Sequence, residues 1–407
     1  MRVTILHSHF TSIGGAEVLL ATQARWLVAA GHDVRIAAFR ADADFCARLL
    51  PDFRVVEVGL PPTVRKLEQL TASMMPALIE RTRPHLDGSD VVMAYNYPCA
   101  PVAAAAGEAR RTWYACEPYR ALYLREGNPA AAASADAVGL RAPDFASRQV
   151  ARRLFRRRIL HAVMPWTART SRDLARFDGD GVRALDAVAS LSRYGAACVE
   201  AAEGRTDVQV ISPMVRMAPP AAGRRGVRRD APQLLVQTRL GIPKNVDTLI
   251  RAIAIVRRTQ PKVVLHVVGS GTRRTALERL AARVAPEAIR FHGFLATEAL
   301  DTLAAACDIF AFAPVDEPFG MVFPEAAARG LLLVGSDHGG PREILADGAL
   351  GELCNPFSPD SIAAAILRTL ALSDADADER RAAADQSMRT RFGAETVGPQ
   401  LEAFLRG

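Results

Sequence analysis

Short apolar runs alternate with amphipathic helical stretches along almost the whole chain, and this rhythm constrains the fold more than any other feature. In the first half the runs VTILHSHF, DVRIAAF, FRVVEVGL, LDGSDVVMAYN and RRTWYACEP read as strands, and GGAEVLLATQARWLVAAG reads as a helix ending at Gly31. In the second half QLLVQTRL, KVVLHVVGSG, AIRFHGFL, DIFAFAP and LLLVGS read as strands. VDTLIRAIAIVRRT, TRRTALERLAARV, TEALDTLAAAC, PEAAARG and SPDSIAAAILRTLAL read as the helices between them. Strands that are apolar on both faces and separated by helices require a parallel sheet covered on both sides. A length of 407 residues exceeds one ordinary core. The expectation is two doubly wound α/β domains, 1–215 and 216–393. The break lies in the Pro-, Gly- and Arg-rich stretch 212–230, and a C-terminal helix at 394–407 packs back on the first domain.

The composition narrows the class. Half of the residues are hydrophobic and 23% are charged, as in globular proteins. Abundant Ala and Arg fit a GC-rich bacterial genome. No apolar run reaches the length of a membrane span, and Met1–Leu6 reads as a strand, not a leader, so the expected location is the cytoplasm. The six cysteines are far apart and form no CxxC pair, which points to free buried thiols. The net charge of +7 is concentrated in SRQVARRLFRRRIL, where Arg148, Arg152, Arg153, Arg156, Arg157 and Arg158 alternate with apolar residues. Two readings stand for Arg148–Arg158: a solvated helix face, or peripheral contact with an anionic membrane on its inner side. No aromatic interleaving accompanies the charge, so nucleic acid is not an expected partner.

Residues 314–330, PVDEPFGMVFPEAAARG, hold the sharpest chemical signal. Glu317 and Glu325 flank a Pro-Phe-Gly turn and the start of a helix. Carboxylates accept hydrogen bonds from sugar and ribose hydroxyls, and the free amides of a helix start attract phosphate. Arg239 and Lys244 follow a strand end in RLGIPK, where fixed cations can stabilise negative charge. Gly14 and Gly15 open the first helix and leave room for close backbone approach. Gly269 and Gly271 do so in VVGSG, and GGAE lacks the full dinucleotide fingerprint. Asp42-Ala43-Asp44 and Asp374-Ala375-Asp376-Ala377-Asp378 imitate a metal-binding DxD but read as solvated loop charge, so no metal is expected.

The motifs TRLGIPKNVDTLIRA, VVGSG, FHGFL, Glu317–Glu325, GSDHGGPREIL and GELCNP occur in order over residues 233–357, with SIGGAE at 12–17 in the first half. In this the chain resembles the retaining glycosyltransferases of family 4. The resemblance implies a GT-B fold, two Rossmann-like domains facing each other across a cleft. It implies transfer of a hexosyl-type sugar from a nucleotide-diphosphate donor to a hydroxyl of a carbohydrate, lipid-linked or small-molecule acceptor, with retention and without cofactor or metal. Arg239 and Lys244 would then steady the leaving diphosphate. Glu317 would contact the donor sugar and Glu325 the ribose. The amides of Phe319, Gly320, Met321 and Val322 would face sugar and diphosphate. Gly14, Gly15, Gly269 and Gly271 would line the donor site, and His292, Gly293 and Phe294 would meet the base. Similar enzymes often carry a histidine where this chain has Cys116 and Glu117, so Glu117 and His9 are acceptor-side candidates. A nucleotide-sugar epimerase on the same fold, or a sugar-nucleotide binding protein without activity, are the alternatives.

Overall fold

The computed structural model describes all residues except 12, 62–63, 65–69, 117–164, 220–226 and 316. Glu117 and the arginine segment 148–158 therefore lie outside the described residues, as does Ser12 of SIGGAE. Leaving those residues aside, contacts divide the chain into two compact units. One runs from Met1 through Met214 and takes in Ala394–Gly407; the other is Val215–Gly393.

The first unit has a seven-stranded sheet. Its strands are β1 (Arg2–Phe10), β2 (Asp33–Ala41), β3 (Val55–Glu57), β4 (Val91–Ala94), β5 (Arg110–Ala115), β6 (Ala187–Ser190) and β7 (Gln209–Val210). They lie in the order β3-β2-β1-β4-β5-β6-β7. All pairings are parallel. The run FRVVEVGL, read as a full strand, contributes only the three residues of β3. At its end the chain leaves the sheet through Gly59, whose φ is +81°.

The second unit has six strands, β8 (Gln233–Gln237), β9 (Val264–Val268), β10 (Ile289–Gly293), β11 (Ile309–Phe312), β12 (Leu332–Ser336) and β13 (Glu352–Cys354). Their order is β10-β9-β8-β11-β12-β13, and again every pairing is parallel. Every residue of β11 and β12 is buried. That is the physical consequence of sequences such as LLVGS: strands that are apolar on both faces must be covered on both faces.

In each unit the strand order reverses direction once, between β1 and β4 and between β8 and β11. A doubly wound sheet opens a crevice at such a switch point, beyond the carboxyl ends of the two strands. Arg239 and Lys244 follow β8, and Glu317 follows β11. The topology thus brings together three residues that lie 78 positions apart at the extremes (317 minus 239).

Two acidic stretches differ from the loop reading. Asp42 is the N-cap of the helix Ala43–Leu49, its carboxylate accepting from the Phe45 amide at 2.8 Å. Asp374, Asp376 and Asp378 lie not in a loop but in the first turns of a 19-residue helix, Asp374–Phe392, capped by Ser373. Acidic residues are favoured in that first turn by the helix dipole. Asp374 also pairs with Arg229 at 2.8 Å and Asp378 with Arg381 at 2.8 Å.

The last helix, Ala394–Arg406, packs on the first helix, Gly15–Ala29. Gly398 makes this approach possible: a Cβ there would lie 2.1 Å from the Trp26 indole. None of the six cysteines forms a disulfide, and five of them are buried. Among the described residues no helix is long and apolar enough to cross a membrane.

Candidate donor site at the second switch point

The loop after β8 is shaped by glycines on its neighbour. A Cβ on Gly269 would lie 2.0 Å from the Thr238 carbonyl oxygen, and one on Gly271 would lie 2.5 Å from that of Leu240. Hydrogen bonds from the Thr238 amide to Val268 O (2.9 Å) and from the Leu240 amide to Ser270 O (2.8 Å) fasten the two loops together. The missing side chains of Gly269 and Gly271 therefore admit the main chain of the RLGIPK segment. This job is distinct from lining a ligand.

Lys244 ends a short 3-10 turn, Ile242–Lys244, and is followed by Asn245 in the left-handed region at φ +56°. Asn245 is buried. Its amide donates to Ala313 O at 2.8 Å and Pro356 O at 2.7 Å, and its carbonyl accepts from Thr248 at 2.6 Å. Asn tolerates this backbone and can make four hydrogen bonds, so it ties together the exits of β8, β11 and β13. The Val315 amide adds a bond to Pro243 O at 3.0 Å. With the two loops held this way, Lys244 Nζ donates to Glu317 Oε2 at 2.6 Å. The two side chains are 26% and 14% exposed, enough to meet a ligand. Arg239 is exposed and has no side-chain partner among the described residues.

The Glu317 turn rests on the paired glycines of GSDHGGPREIL. The Gly340 amide donates to Glu317 O at 2.9 Å, and a Cβ on Gly340 would lie 2.4 Å from Phe319 Cα. Phe319 itself is buried, its ring edge-on to Phe392 at 5.0 Å. Its side chain anchors the turn. The amides of Phe319, Gly320, Met321 and Val322 have no acceptor among the described residues. Gly320, at φ +104°, turns the chain into the helix Val322–Ala328.

Glu325 sits on that helix. Burial pushes its carboxyl above the ordinary value, while Arg329 and a hydrogen bond to Gln237 act in the opposite direction. Gln237 and Arg329 carried no assigned role in the sequence. The signal for Gln237 is a polar residue ending an apolar strand.

The base-side residues behave differently from one another. His292 is bonded to His266, ring nitrogen to ring nitrogen, at 2.9 Å, and His266 to Gln233 at 3.0 Å. Burial, then the neighbouring His292 and Arg290, bring His266 down to about 4; burial and Arg290 also lower His292. Both rings are thus neutral at neutral pH, and the His292 imidazole is held by its neighbour. Gly293 turns at φ +72°, its carbonyl accepting from the Gly269 amide at 2.7 Å. Phe294 is left 69% exposed, the most open large apolar side chain among the described residues.

The first switch point gathers Gly14, Gly15 and His9, and with them residues that were not singled out, His7 and Glu17. Gly14 is the N-cap of the helix Gly15–Ala29, with no side-chain cap of its own. His7 Nε2 and Glu17 Oε1 are 3.0 Å apart and buried. A Cβ on Gly14 would lie 2.6 Å from the other Glu17 oxygen. Burial opposes the Glu17 charge, but the hydrogen bond and charge of His7 outweigh it and lower the carboxyl. His9 is half-buried at the end of β1, Nδ1 against Ser8 Oγ at 2.9 Å.

Two parallel-sheet units, with a charged site at the second switch point, define a GT-B architecture. Residues 223–389 match the family model of glycosyl transferases group 1, and residues 13–116 match that of glycosyltransferase family 4. The two matches lie in separate parts of the chain and together support a GT4-like glycosyltransferase of the GT-B fold. It is 36% identical over 180 residues to a glycogen synthase of Mycobacterium tuberculosis, an alignment covering 44% of this chain and 43% of that protein. It is 29% identical over 255 residues to a GDP-mannose-dependent alpha-(1-6)-phosphatidylinositol monomannoside mannosyltransferase of the same organism, covering 58% and 65%. The chain thus spans between two fifths and two thirds of these relatives. The crystal structure of Anabaena Alr3699/HepE with UDP-glucose superposes over 100% of both chains with a TM-score of 0.70 at 20% identity, a likeness of fold.

Proposed function

We propose that the protein is a retaining glycosyltransferase that moves a hexosyl-type sugar from a nucleotide-diphosphate sugar to an acceptor hydroxyl. The observation that carries this reading is the Lys244–Glu317 pair at 2.6 Å, partly exposed at the switch point, next to four amides with no acceptor among the described residues. Relatives named as glycogen synthase and as a GDP-mannose-dependent mannosyltransferase support it, as does a fold neighbour crystallised with UDP-glucose.

In this reading the diphosphate lies against the amides of Phe319–Val322, with Lys244 and Arg239 on its other side. As the glycosidic bond breaks, negative charge grows on the departing phosphate. Fixed cations and amides stabilise that charge more in the transition state than in the bound donor. The Lys244 ammonium has three hydrogens, so it can hold Glu317 and a phosphate oxygen together. Glu317 accepts from a donor-sugar hydroxyl, and Glu325 from the ribose. The acceptor hydroxyl attacks the anomeric carbon from the face the diphosphate leaves, and the departing phosphate oxygen takes its proton. The cations do the work a metal ion does elsewhere, so no metal is required. The acceptor is a glycolipid, polysaccharide or natural-product intermediate, and the reaction takes place in the cytoplasm or at the inner membrane face.

A radiolabelled-sugar assay with UDP-, GDP-, ADP- and TDP-sugars and an acceptor panel tests this, followed by proton NMR of the product. The expected product has the anomeric configuration of the donor, and EDTA leaves the rate unchanged. An inverted product, or an EDTA loss restored by Mg²⁺, contradicts the mechanism. Release of an isomerised sugar without acceptor makes the enzyme an epimerase.

A further inference from the structure

Arg329 closes the C-terminal end of the helix that carries Glu325, and three contacts fix it. Its Nε donates to Asp301 Oδ1 at 2.7 Å, on the helix Thr297–Ala305. Its Nη1 donates to the Glu325 carbonyl at 3.2 Å and lies 3.9 Å from Glu325 Oε2. The Arg329 side chain is only 12% exposed, whereas that of Glu325 remains 23% exposed. From the end of β8, Gln237 stands close enough to the same carboxylate to lower it. Glu325 thus has a cation from its own helix end and an amide from β8 beside it, and one part of it stays open.

We propose that Arg329, braced by Asp301, and Gln237 are positioning residues that keep Glu325 ionised and oriented, and through it set the preference for ribose over 2′-deoxyribose. The inference rests on the donor-site reading above. An ionised carboxylate accepts from two adjacent hydroxyls at once; protonation turns one of its oxygens into a donor and breaks that match. Burial raises the Glu325 carboxyl, so the ionised form needs support. Among the described residues, Arg329 is the cation that bears on it and Gln237 the neutral donor; Asp301 faces Arg329, not Glu325. As pH falls through the raised value, the carboxylate and its grip on the ribose are lost. Removing the Arg329 charge raises that value further, so the loss starts at higher pH.

The test is calorimetric binding of UDP, GDP and ADP, each beside its 2′-deoxy analogue, from about pH 5 to about pH 8 on wild type, R329Q and R329K. Near the upper end all three proteins prefer the ribonucleotide. In R329Q the acid-side fall in affinity begins about one pH unit higher than in wild type. At the acid end R329Q then binds the ribonucleotide about tenfold more weakly than wild type, while the deoxy analogue is little changed. R329K, which restores the charge, returns the profile toward wild type. A residue that only closes the helix would change the melting temperature and leave the pH profile in place. Identical profiles in R329Q and wild type overturn the inference while leaving the donor site intact. If wild type binds none of UDP, GDP and ADP, the donor-site reading itself falls, and the inference with it.

Discussion

At the end of β1 a histidine and a glutamate form a buried pair; beyond the end of β8 a lysine meets a glutamate across the switch point and stays partly exposed. Both pairs lie near a switch point of a doubly wound sheet, the first between β1 and the helix that follows it, the second between the exits of β8 and β11. In the first unit one Glu17 oxygen is taken by His7 and the other lies against Gly14, so the pair is sealed into the turn. In the second, the Glu317 carboxylate borders a run of amides with no acceptor among the described residues. The same topology thus yields one closed pair, suited to hold a loop, and one open pair, suited to hold a ligand. Topology alone does not decide which; the burial of the side chains does.

The comparison breaks most visibly at His7. His7→Ala leaves the Glu17 charge buried without its partner, and about 3–5 kcal/mol of stability is expected to go. Urea unfolding checks this, and nucleotide affinity of the native variant should be unchanged. The sign with pH follows from the lowered Glu17 carboxyl. Its contribution is present above the ordinary value of 4.5 and is lost as pH falls through the lower folded value. Stability that instead fell on raising pH above neutrality would assign the pair a different role.

Lys244→Met probes the open pair. Loss of a fixed cation from the leaving group is expected to cut kcat by about a hundredfold. The effect on donor affinity and on unfolding should be much smaller. Equal losses in turnover and binding would make Lys244 a binding residue only.

Gly269→Ala sharpens the comparison by moving the loop and not the charge. The new methyl meets the Thr238 carbonyl at a backbone φ of +125°, so a destabilisation of about 1–3 kcal/mol is expected in thermal unfolding. Turnover should fall with it, because the Arg239–Lys244 loop shifts. Full stability in Gly269→Ala would mean that the two loops are not fastened as described.

The alternation of apolar runs and helical segments made two parallel sheets readable from the sequence, because strands buried on both faces and helices of 3.6-residue period leave different apolar spacings. The Glu317–Glu325 segment and the paired glycines were readable for a similar reason: short motifs fix local backbone. What escaped depends on distance along the chain. Asn245 joins Ala313 and Pro356, and Arg329 joins Asp301; no local spacing signals such bonds. The His7–Glu17 pair was missed because its members sit ten positions apart, on a strand and a helix. The run Asp374–Asp378 reads as loop charge in the sequence because the acidic start of its helix hides the apolar positions Ala377, Ala384, Met388 and Phe392 that the helix buries.

The central claim is that a nucleoside diphosphate binds at the β8–β11 switch point with its ribose on Glu325. Calorimetry with UDP, GDP and ADP on wild type and Glu325→Ala tests it most directly. The account predicts binding of at least one nucleotide to wild type and a loss of about 1–3 kcal/mol in the variant, with the fold intact. Unchanged affinity in Glu325→Ala would contradict it.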